Sequence, residues 1–442
     1  MRVLRAIGVV VVMLGSAAAA DDWPQWLGPR RDGVWREGGI VEVFPKDGAV
    51  IRWRRALGAG YSGPVVAAGR VYVTDRELRG GRSNPGDPFS RGRVPGVERV
   101  VCLDESDGRV IWQDEYACEY TISYPAGPRA SPLVAGGRLY TVGAEGHVRC
   151  YEATSGRVIW QTRLGADSSL TPAWGYSGSP LIEGNKLICL GNKKSVAMAL
   201  DKETGQVLWR SLTARDAGYA PPTVIEAGGR RQLIIWHPQA LVSLDPETGG
   251  TYWSEPFEVR TDVSVATPRQ EGDLLYITCF YNGSLMMKLD RAAPRATRLW
   301  RRAGRNEYNT EGLHGLMCTP FIKDGHIYGV CSYGQLRCIK LDGGDRVWET
   351  LAATTKDGRP QRWANAFIVA NGDRFFMANE LGDLIIARLS PAGYQEISRA
   401  HLIEPTNRDA GRAVVWSHPA FANKSVYMRN DQEIICVSLA AP

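Results

Sequence analysis

Short runs of alternating apolar and polar residues, separated by turns that contain glycine, recur along most of this chain. In "SPLVAGGRLYTVG" (131–143) two such runs flank a Gly-Gly turn, and "SPLIEGNKLICLG" (179–191) and "TPFIKDGHIYGVC" (319–331) repeat the plan. Alternation with a period of two indicates strands with one buried face, and a short glycine-containing turn between two of them predicts a β-hairpin.

After each hairpin come a third strand, a turn with an acidic residue and glycine, and a fourth strand that ends at tryptophan. In "ALDKETGQVLW" (199–209), glycine follows the acidic residue by four positions and tryptophan by eight. The tryptophans of this series are Trp112, Trp160, Trp209, Trp253, Trp300 and Trp348. Neighbouring members are 44 to 49 residues apart. Four antiparallel strands in about 40–50 residues, without a helix, are typical of a β-propeller blade.

The number of hairpins predicts eight blades. The hairpins begin near Gly63, Ser131, Ser179, Pro221, Thr267, Thr319, Asn365 and His418. The last unit has only three strands, and "VIRWRRAL" (50–57), which contains Trp53, is a strand without a preceding hairpin. An N-terminal strand that completes the last blade closes the ring and protects its edges. We therefore predict an all-β, eight-bladed propeller over residues 50–442 as a single domain, preceded by a lead-in segment, 21–49.

The repeated turn motif is interpreted as framework. Glycine tolerates the positive φ of a tight turn, acidic and threonine side chains bond the turn backbone, and tryptophan buries a large flat surface against the next blade. A catalytic group is not needed so many times around a ring. Trp53 and the six tryptophans of the series are therefore predicted to be structural docking residues.

The first twenty residues predict export. "MRVLRA" is basic, "IGVVVVMLG" is a short apolar run, and "SAAAA" ends in small residues, which together indicate a secretory signal peptide at 1–20. The cleavage point has no cysteine to which a lipid could be attached. We therefore expect a periplasmic or envelope-associated protein that is not lipid-anchored and has no transmembrane segment when mature. The formal net charge is +6, and the lysines and arginines are spread along the chain without a long basic run. Nucleic-acid binding is therefore not expected.

The repeat resembles that of the pyrroloquinoline quinone (PQQ) repeat family, whose tryptophan-docking motif reads A-x-D-x-x-T-G-x-x-x-W. Residues 199–209 match every fixed position. The family contains PQQ-dependent alcohol and sugar dehydrogenases and proteins similar to BamB, a subunit of the outer-membrane β-barrel assembly machinery. The lead-in "DWPQWLGPRRDGVW" (22–35) and "GYSGPVV" (60–66) also resemble exported propellers of planctomycete-type bacteria.

The resemblance to the dehydrogenases lacks two of their features. Those enzymes stack the quinone on a disulfide between adjacent cysteines, and here no two of the nine cysteines are adjacent and no C-x-x-C-H haem motif occurs. We therefore expect a non-enzymatic, monomeric scaffold that resembles BamB, needs no cofactor, and binds envelope proteins or an unidentified small ligand. The alternative is an oxidoreductase that holds PQQ and calcium on the channel face.

The loops that lead into the innermost strands carry the candidate binding residues, because such loops surround the central channel of a propeller. On this channel face we place Arg129, Trp174, Tyr176, Asp262, Asn306, His314, Arg362, Trp363, Arg408, Asp409 and His418. No catalytic residue is predicted. The six histidines have no metal-ligand spacing, so no metal site is predicted either.

Two further features are the spacing of three cysteines and a long insertion in the first blade. Cys318, Cys331 and Cys338 fall near facing positions of successive predicted strands, which allows one disulfide among them, although buried thiols are the preferred interpretation. The insertion "ELRGGRSNPGDPFSRGRVPG" (77–96) lengthens the first blade, is rich in Gly, Arg and Pro, and is predicted to be a mobile surface loop.

Overall fold

Eight four-stranded antiparallel sheets follow one another around a ring, so the prediction of an eight-bladed β-propeller is confirmed. The computed structural model describes residues 21–165, 171–409 and 411–442. Seven blades consist of four strands that are consecutive in the chain, and one blade combines the first strand with the last three.

The strands have the following bounds. In chain order they are β1 (Val50–Ala56); β2 (Val65–Ala67), β3 (Arg70–Glu77), β4 (Val97–Asp104) and β5 (Val110–Ala117) of blade 1; β6 (Leu133–Ala135), β7 (Arg138–Val142), β8 (His147–Glu152) and β9 (Val158–Arg163) of blade 2; β10 (Leu181–Glu183), β11 (Lys186–Asn192), β12 (Ser195–Asp201) and β13 (Val207–Ser211) of blade 3; β14 (Thr223–Ala227), β15 (Arg230–His237), β16 (Ala240–Leu244) and β17 (Thr251–Pro256) of blade 4; β18 (Arg269–Glu271), β19 (Leu274–Cys279), β20 (Gly283–Leu289) and β21 (Ala296–Arg302) of blade 5; β22 (Phe321–Lys323), β23 (His326–Val330), β24 (Leu336–Lys340) and β25 (Arg346–Thr350) of blade 6; β26 (Ala366–Asn371), β27 (Arg374–Asn379), β28 (Asp383–Ser390) and β29 (Gly393–His401) of blade 7; a separate hairpin, β30 (Asn407–Asp409) and β31 (Arg412–Val414); and β32 (Ala420–Ala422), β33 (Ser425–Arg429) and β34 (Glu433–Ser438) of blade 8. One short 3₁₀ helix, Arg260–Asp262, lies between blades 4 and 5.

Strand β1 completes blade 8, as the three-stranded last unit predicts. It pairs antiparallel with β34 from Val50 opposite Ser438 to Ala56 opposite Glu433, with one irregularity after Ile51. The ring is thereby closed by backbone hydrogen bonds between the first and last strands, which cover the otherwise free edge of β34.

The hydrophobic core lies between the blades, and tryptophans of the outer strands cross these junctions. Each buried cluster combines residues of neighbouring blades, as in the cluster that joins blades 2 and 3. Six indole N–H groups donate to a backbone carbonyl in the turn of the next blade at 2.8–3.2 Å, namely Trp53 to Glu105, Trp112 to Ala153, Trp160 to Lys202, Trp209 to Pro246, Trp300 to Leu341 and Trp348 to Ser390.

Trp253 is the exception among the seven tryptophans. Its indole N–H donates to the side-chain oxygen of Gln232 in its own blade, at 2.9 Å. The turn that faces it in blade 5 is longer than the others, and the carbonyl of Ala293 in that turn lies against Gly228, where a Cβ would be only 2.1 Å away. The lengthened turn thus contacts blade 4 at Gly228, while Trp253 forms its hydrogen bond within blade 4.

The lead-in segment before β1 crosses the axial channel. Trp23 pairs with β2 of blade 1 through two backbone hydrogen bonds of 2.9 Å, and the N–H of Trp35 donates to a carbonyl of β26 in blade 7 at 2.8 Å. Between them, the Arg31 guanidinium donates to the carbonyls of Pro180 and Pro222, which precede blades 3 and 4. A segment that contacts blades on opposite sides of a ring must lie across its channel.

All nine cysteines are buried free thiols. The disulfide considered among Cys318, Cys331 and Cys338 is therefore not formed. The turn between β23 and β24 is centred on Tyr333, since the Cys331 N–H donates to the Gln335 carbonyl at 2.8 Å. Cys338 consequently faces Tyr328 rather than Cys331.

Candidate functional site

Loops that precede the innermost strands surround a pocket of about 560 Å³ on the channel face. Eleven of its 22 lining residues are aromatic, namely Trp26, Tyr61, Phe89, Tyr124, Trp174, Tyr219, Phe280, Tyr281, Trp363, Phe367 and Trp416. Among the described lining residues, none carries a carboxylate or a side-chain amide, whereas Arg129 and Arg362 bring guanidinium groups. The pocket is thus mainly apolar with a cationic component.

Five of the eleven candidate residues line this pocket, namely Arg129, Trp174, Arg362, Trp363 and His418. Arg129 is fixed by backbone carbonyls: its guanidinium donates to Gly127 at 2.6 Å and to Ser123 at 2.7 Å. It also lies 5.2 Å from the ring centre of Tyr61. These hydrogen bonds hold the Arg129 guanidinium in place without neutralising its positive charge, because backbone carbonyls are uncharged.

Arg362 connects the pocket to an adjoining polar cavity. Its guanidinium lies 4.5 Å from the Trp363 ring and donates to the Tyr281 hydroxyl at 3.0 Å and to Glu307 at 2.8 Å. The adjoining cavity, of about 490 Å³, shares Tyr281 and Arg362 with the aromatic pocket and is also lined by Arg260 and Arg305. The aromatic pocket therefore opens beside a cavity with more basic than acidic side chains.

His418 contributes an uncharged aromatic surface. Its ring packs on Trp26 at 4.8 Å and on Phe367 at 5.0 Å between centres, and its Nδ1 lies 2.7 Å from the Pro419 carbonyl oxygen. Burial lowers the pKa of His418 to about 4. A histidine that is neutral near pH 7 and held by stacking acts here as part of the pocket wall.

Three other candidate residues lie outside the aromatic pocket because the propeller framework uses them. Tyr176 is buried between blades 2 and 3. Asp262 accepts a hydrogen bond of 2.6 Å from Arg215. His314 is fully buried with its Nδ1 3.0 Å from the Phe280 carbonyl oxygen, and burial lowers its pKa to about 4.

The last three candidates stand at the margin of the site. Asn306 lines the adjoining cavity, and its side-chain oxygen caps the backbone N–H groups of the following turn. Arg408 is exposed on β30. Asp409 is buried and accepts hydrogen bonds from the hydroxyl of Tyr124 at 2.8 Å and from Arg412 at 2.9 Å. Asp409 thus positions a pocket tyrosine without lining the pocket itself.

Two lining residues come from segments outside the repeats. Trp26 belongs to the lead-in segment, and its indole N–H donates to the Thr267 hydroxyl at 2.9 Å. Phe89 belongs to the insertion between β3 and β4, and its ring packs on Tyr124 at 5.2 Å and on Trp363 at 6.1 Å. The insertion, predicted as a mobile surface loop, therefore contributes to the pocket. A single aromatic residue within a polar insertion is the sequence signal for this role.

The pocket lining fits a PQQ–calcium pair only in part. Aromatic walls and guanidinium groups suit a planar anion, but Ca²⁺ needs six to eight oxygen ligands, mainly carboxylates and carbonyls. The described lining offers no carboxylate.

These features define an eight-bladed propeller with an aromatic pocket at one end of its channel. The model of the family described as "Outer membrane protein assembly factor BamB" matches residues 96–350, more than half of the chain, and the protein belongs to this PQQ-repeat family. A search of curated proteins gives no match.

Solved structures show the same fold at low sequence identity. BamB from Moraxella catarrhalis is 16% identical, with 87% of this chain and 97% of that chain covered and a TM-score of 0.54. The quinohemoprotein alcohol dehydrogenase of Comamonas testosteroni is 13% identical, with 96% and 81% covered and a TM-score of 0.60. The computationally designed protein Ika8 is 10% identical, with 88% and 99% covered and a TM-score of 0.55. At these identities the likeness establishes the fold alone.

Proposed function

We propose that the protein is a non-enzymatic scaffold of the cell envelope that binds a flat, largely apolar ligand with an anionic group in its aromatic pocket. The observation that supports this proposal is the composition of the lining, with eleven aromatic residues, two guanidinium groups and no carboxylate in its described part. Its volume is within the range of about 300–1,000 Å³ that small-molecule sites have.

The ligand class follows from the side chains at the two ends of the pocket. Trp174 and Tyr219 pack edge to face, 5.7 Å apart, and present a rigid wall on the side opposite to blade 7. Trp363 lies against Arg362, which is ion-paired with Glu307, so that side offers an aromatic face. Arg129, whose guanidinium is bonded to backbone carbonyls, supplies a cation for an anionic group. A planar apolar body with a carboxylate, sulfonate or phosphate substituent complements both surfaces.

The described part of the lining contains no acid–base pair, which favours binding over catalysis. General acid–base chemistry needs a titratable group at the reacting atoms with a pKa near the working pH. In the described lining the one histidine is His418, whose pKa burial lowers to about 4 and whose Nδ1 contacts a backbone carbonyl. Two carboxylates beside the lining are already engaged, Glu307 with Arg362 and Asp409 with Tyr124 and Arg412.

The cellular location is part of the proposal. The basic, apolar and small-residue sequence of positions 1–20 indicates export. Among the described residues, no helix has the length and apolar character needed to cross a membrane. We infer that the mature protein is periplasmic or envelope-associated and monomeric, and that its ligand is a small molecule of the envelope or a group displayed by an envelope protein.

The test uses 8-anilinonaphthalene-1-sulfonate, a flat aromatic anion whose fluorescence rises in apolar sites, with residues 21–442. We expect saturable one-to-one binding that Trp363→Ala weakens about tenfold, the loss of roughly 1.4 kcal/mol of contact energy. Tyr308→Ala removes an aromatic ring that is 67% exposed and does not line the pocket, and should leave the affinity unchanged. Equal affinity in wild type and Trp363→Ala would contradict the proposal.

The alternative proposal, an oxidoreductase with PQQ and calcium, is supported by the same aromatic and cationic walls. Titration with PQQ, with and without Ca²⁺, separates the two proposals through quenching of tryptophan fluorescence. Tight binding that requires Ca²⁺ favours the oxidoreductase and justifies assays with alcohols, sugars and an artificial electron acceptor. Binding of the naphthalene probe without Ca²⁺-dependent PQQ binding favours the scaffold.

A further inference from the structure

A second group of chemically reactive side chains lies away from the aromatic pocket, at the junction of blades 1 and 2. It consists of Glu98 on β4, Cys118 directly after β5, and His147 at the start of β8. One potential ligand atom from each residue lies within 4.8 Å of the other two. The Cys118 Sγ is 3.7 Å from the His147 Nδ1. Glu98 and Cys118 are buried, and His147 is half-buried.

The Glu98 carboxylate is held in one orientation by donors on both of its oxygens. The Tyr116 hydroxyl donates to Oε2 at 2.5 Å, the Tyr120 hydroxyl donates to Oε1, and the backbone N–H of Ala144 donates to Oε1 at 2.9 Å. Gly143 makes room for this arrangement, since a Cβ there would be 2.2 Å from the Glu98 oxygen. Hydrogen bonds that orient a carboxylate in this way are typical of the surroundings of metal ligands.

We propose that Glu98, Cys118 and His147 bind a zinc ion. Thiolate, imidazole and carboxylate are the protein ligands of Zn²⁺, and a set of three leaves the fourth tetrahedral position for water. With bonds of about 2.3 Å to sulfur and 2.0 Å to nitrogen, a tetrahedral ion separates these two atoms by about 3.5 Å. The observed 3.7 Å is close to that separation.

The charges of the site are compatible with a divalent cation. The Cys118 thiolate and the Glu98 carboxylate together neutralise Zn²⁺, while His147 binds as neutral imidazole. When zinc binds, the Cys118 thiol loses its proton to the solvent and becomes a thiolate, so one proton is released for each zinc ion bound. The partial exposure of His147 gives ion and proton a path to solvent.

The sequence concealed this group because its members are not close in the chain. Metal motifs are recognised by short spacings such as C-x-x-C or H-x₃-H, whereas Glu98, Cys118 and His147 lie on three strands or strand ends in two blades. Cys118 also lies outside the motif positions occupied by Cys102 and Cys150, which face their own tryptophans across the strands.

The proposal is tested with Co²⁺ as a spectroscopic probe on residues 21–442 after removal of metals and any affinity tag. Thiolate ligation predicts a near-ultraviolet charge-transfer absorption that saturates at one Co²⁺ per chain and disappears when Zn²⁺ is added. Cys118→Ala should abolish the absorption. Cys102→Ala, which introduces the alanine of the family motif at another buried cysteine, should retain it.

A second measurement keeps the test decisive if Cys118→Ala does not fold. In the wild type, Zn²⁺ should slow the reaction of Cys118 with a thiol reagent, and His147→Gln should reduce this protection at least tenfold, while His326→Gln on blade 6 should not. Absence of the cobalt absorption together with unprotected Cys118 would overturn the proposal. An absorption that persists in Cys118→Ala would also overturn it. In that case the S–H of Cys118 is simply hydrogen-bonded to His147.

Discussion

The contact between an indole and the turn glycine of the next blade can be measured with two matched substitutions in blade 2. Gly137 and Gly156 both have φ of +74°. At Gly137 a Cβ would meet nothing within 4 Å, whereas at Gly156 it would lie 2.5 Å from the Trp112 ring. Gly137→Ala and Gly156→Ala therefore impose the same φ and differ in contact with Trp112.

The difference in the free energy of unfolding follows from these distances. An L-residue in the left-handed region costs roughly 1–2 kcal/mol, and this cost is common to both variants. At Gly156 the new methyl group must also displace the indole, and overpacking of this kind costs about 1–3 kcal/mol. The ring of Trp112 is restrained, because its N–H donates to the Ala153 carbonyl at 3.0 Å and it stacks on Tyr151. We expect Gly156→Ala to be about 1–3 kcal/mol less stable than Gly137→Ala.

Equilibrium unfolding in urea, followed by tryptophan fluorescence and circular dichroism, measures this difference. A double-mutant cycle adds Trp112→Leu to each variant and isolates the coupling between the ring and the methyl group. In the Trp112→Leu background, Gly156→Ala should cost no more than Gly137→Ala. Equal destabilisation of the two glycine variants in the wild-type background would refute the docking role of Trp112.

Other outcomes concern pH, ring closure and the pocket. Three buried histidines have their pKa lowered to about 4 by burial, namely His237, His314 and His418. Histidine in an unfolded chain has a pKa of about 6.5, so between pH 6.5 and pH 4 the unfolded chain binds more protons than the folded one, and the free energy of unfolding should fall as the pH drops through this range. Asp216, whose pKa burial raises to about 6, partly offsets this loss. Equal free energies of urea unfolding at pH 7 and pH 5 would contradict the prediction. Trp53→Ala should cost about 3–5 kcal/mol in the same assay, because the indole is buried across the closing junction, whereas Ile51→Ala, 39% exposed on the same strand, should cost under about 1 kcal/mol. Phe89→Ala should weaken binding of the naphthalene probe several-fold at unchanged stability, since Phe89 is 49% exposed, and an unchanged affinity would exclude it from the site.

The fold was predictable because each blade repeats the same local signals. The signals that define a blade lie within some 45 residues of one another: alternating apolar residues, a turn glycine and a terminal tryptophan. The innermost strand of every blade accordingly begins within two residues of the predicted hairpin start. Departures arise where the turn length changes. The longer turn "DRAAPRAT" (290–297) in blade 5 leaves Trp253 bonded within its own blade. In blade 6, Cys338 faces Tyr328 and not Cys331. The alternation of apolar residues does not determine this register, because it does not show where the turn between the two strands is centred.

The pocket was predictable only as a location. Loops that lead into the innermost strands were expected on the channel face, but which side chains turn inward depends on contacts between blades that are far apart in sequence. Asp409 illustrates this dependence: its carboxylate is occupied by Tyr124, which belongs to a loop 285 residues earlier in the chain. His314 likewise turns into the framework because the Phe280 carbonyl accepts its ring N–H there.

Two segments that break the repeat also contribute aromatic side chains to the pocket. Phe89 comes from the insertion in blade 1 and Trp26 from the lead-in segment, and neither has a counterpart in the repeated hairpins. The repeated turns, in contrast, direct their glycines and tryptophans to the junctions between blades, where a change of one methyl group alters packing. Substitutions at the two kinds of position should therefore separate: Gly156→Ala should lower stability with little effect on probe affinity, and Phe89→Ala should do the reverse. If both variants lost stability and affinity together, the channel face and the blade junctions would be one cooperative unit, and a binding role could not be assigned to the pocket from affinity alone.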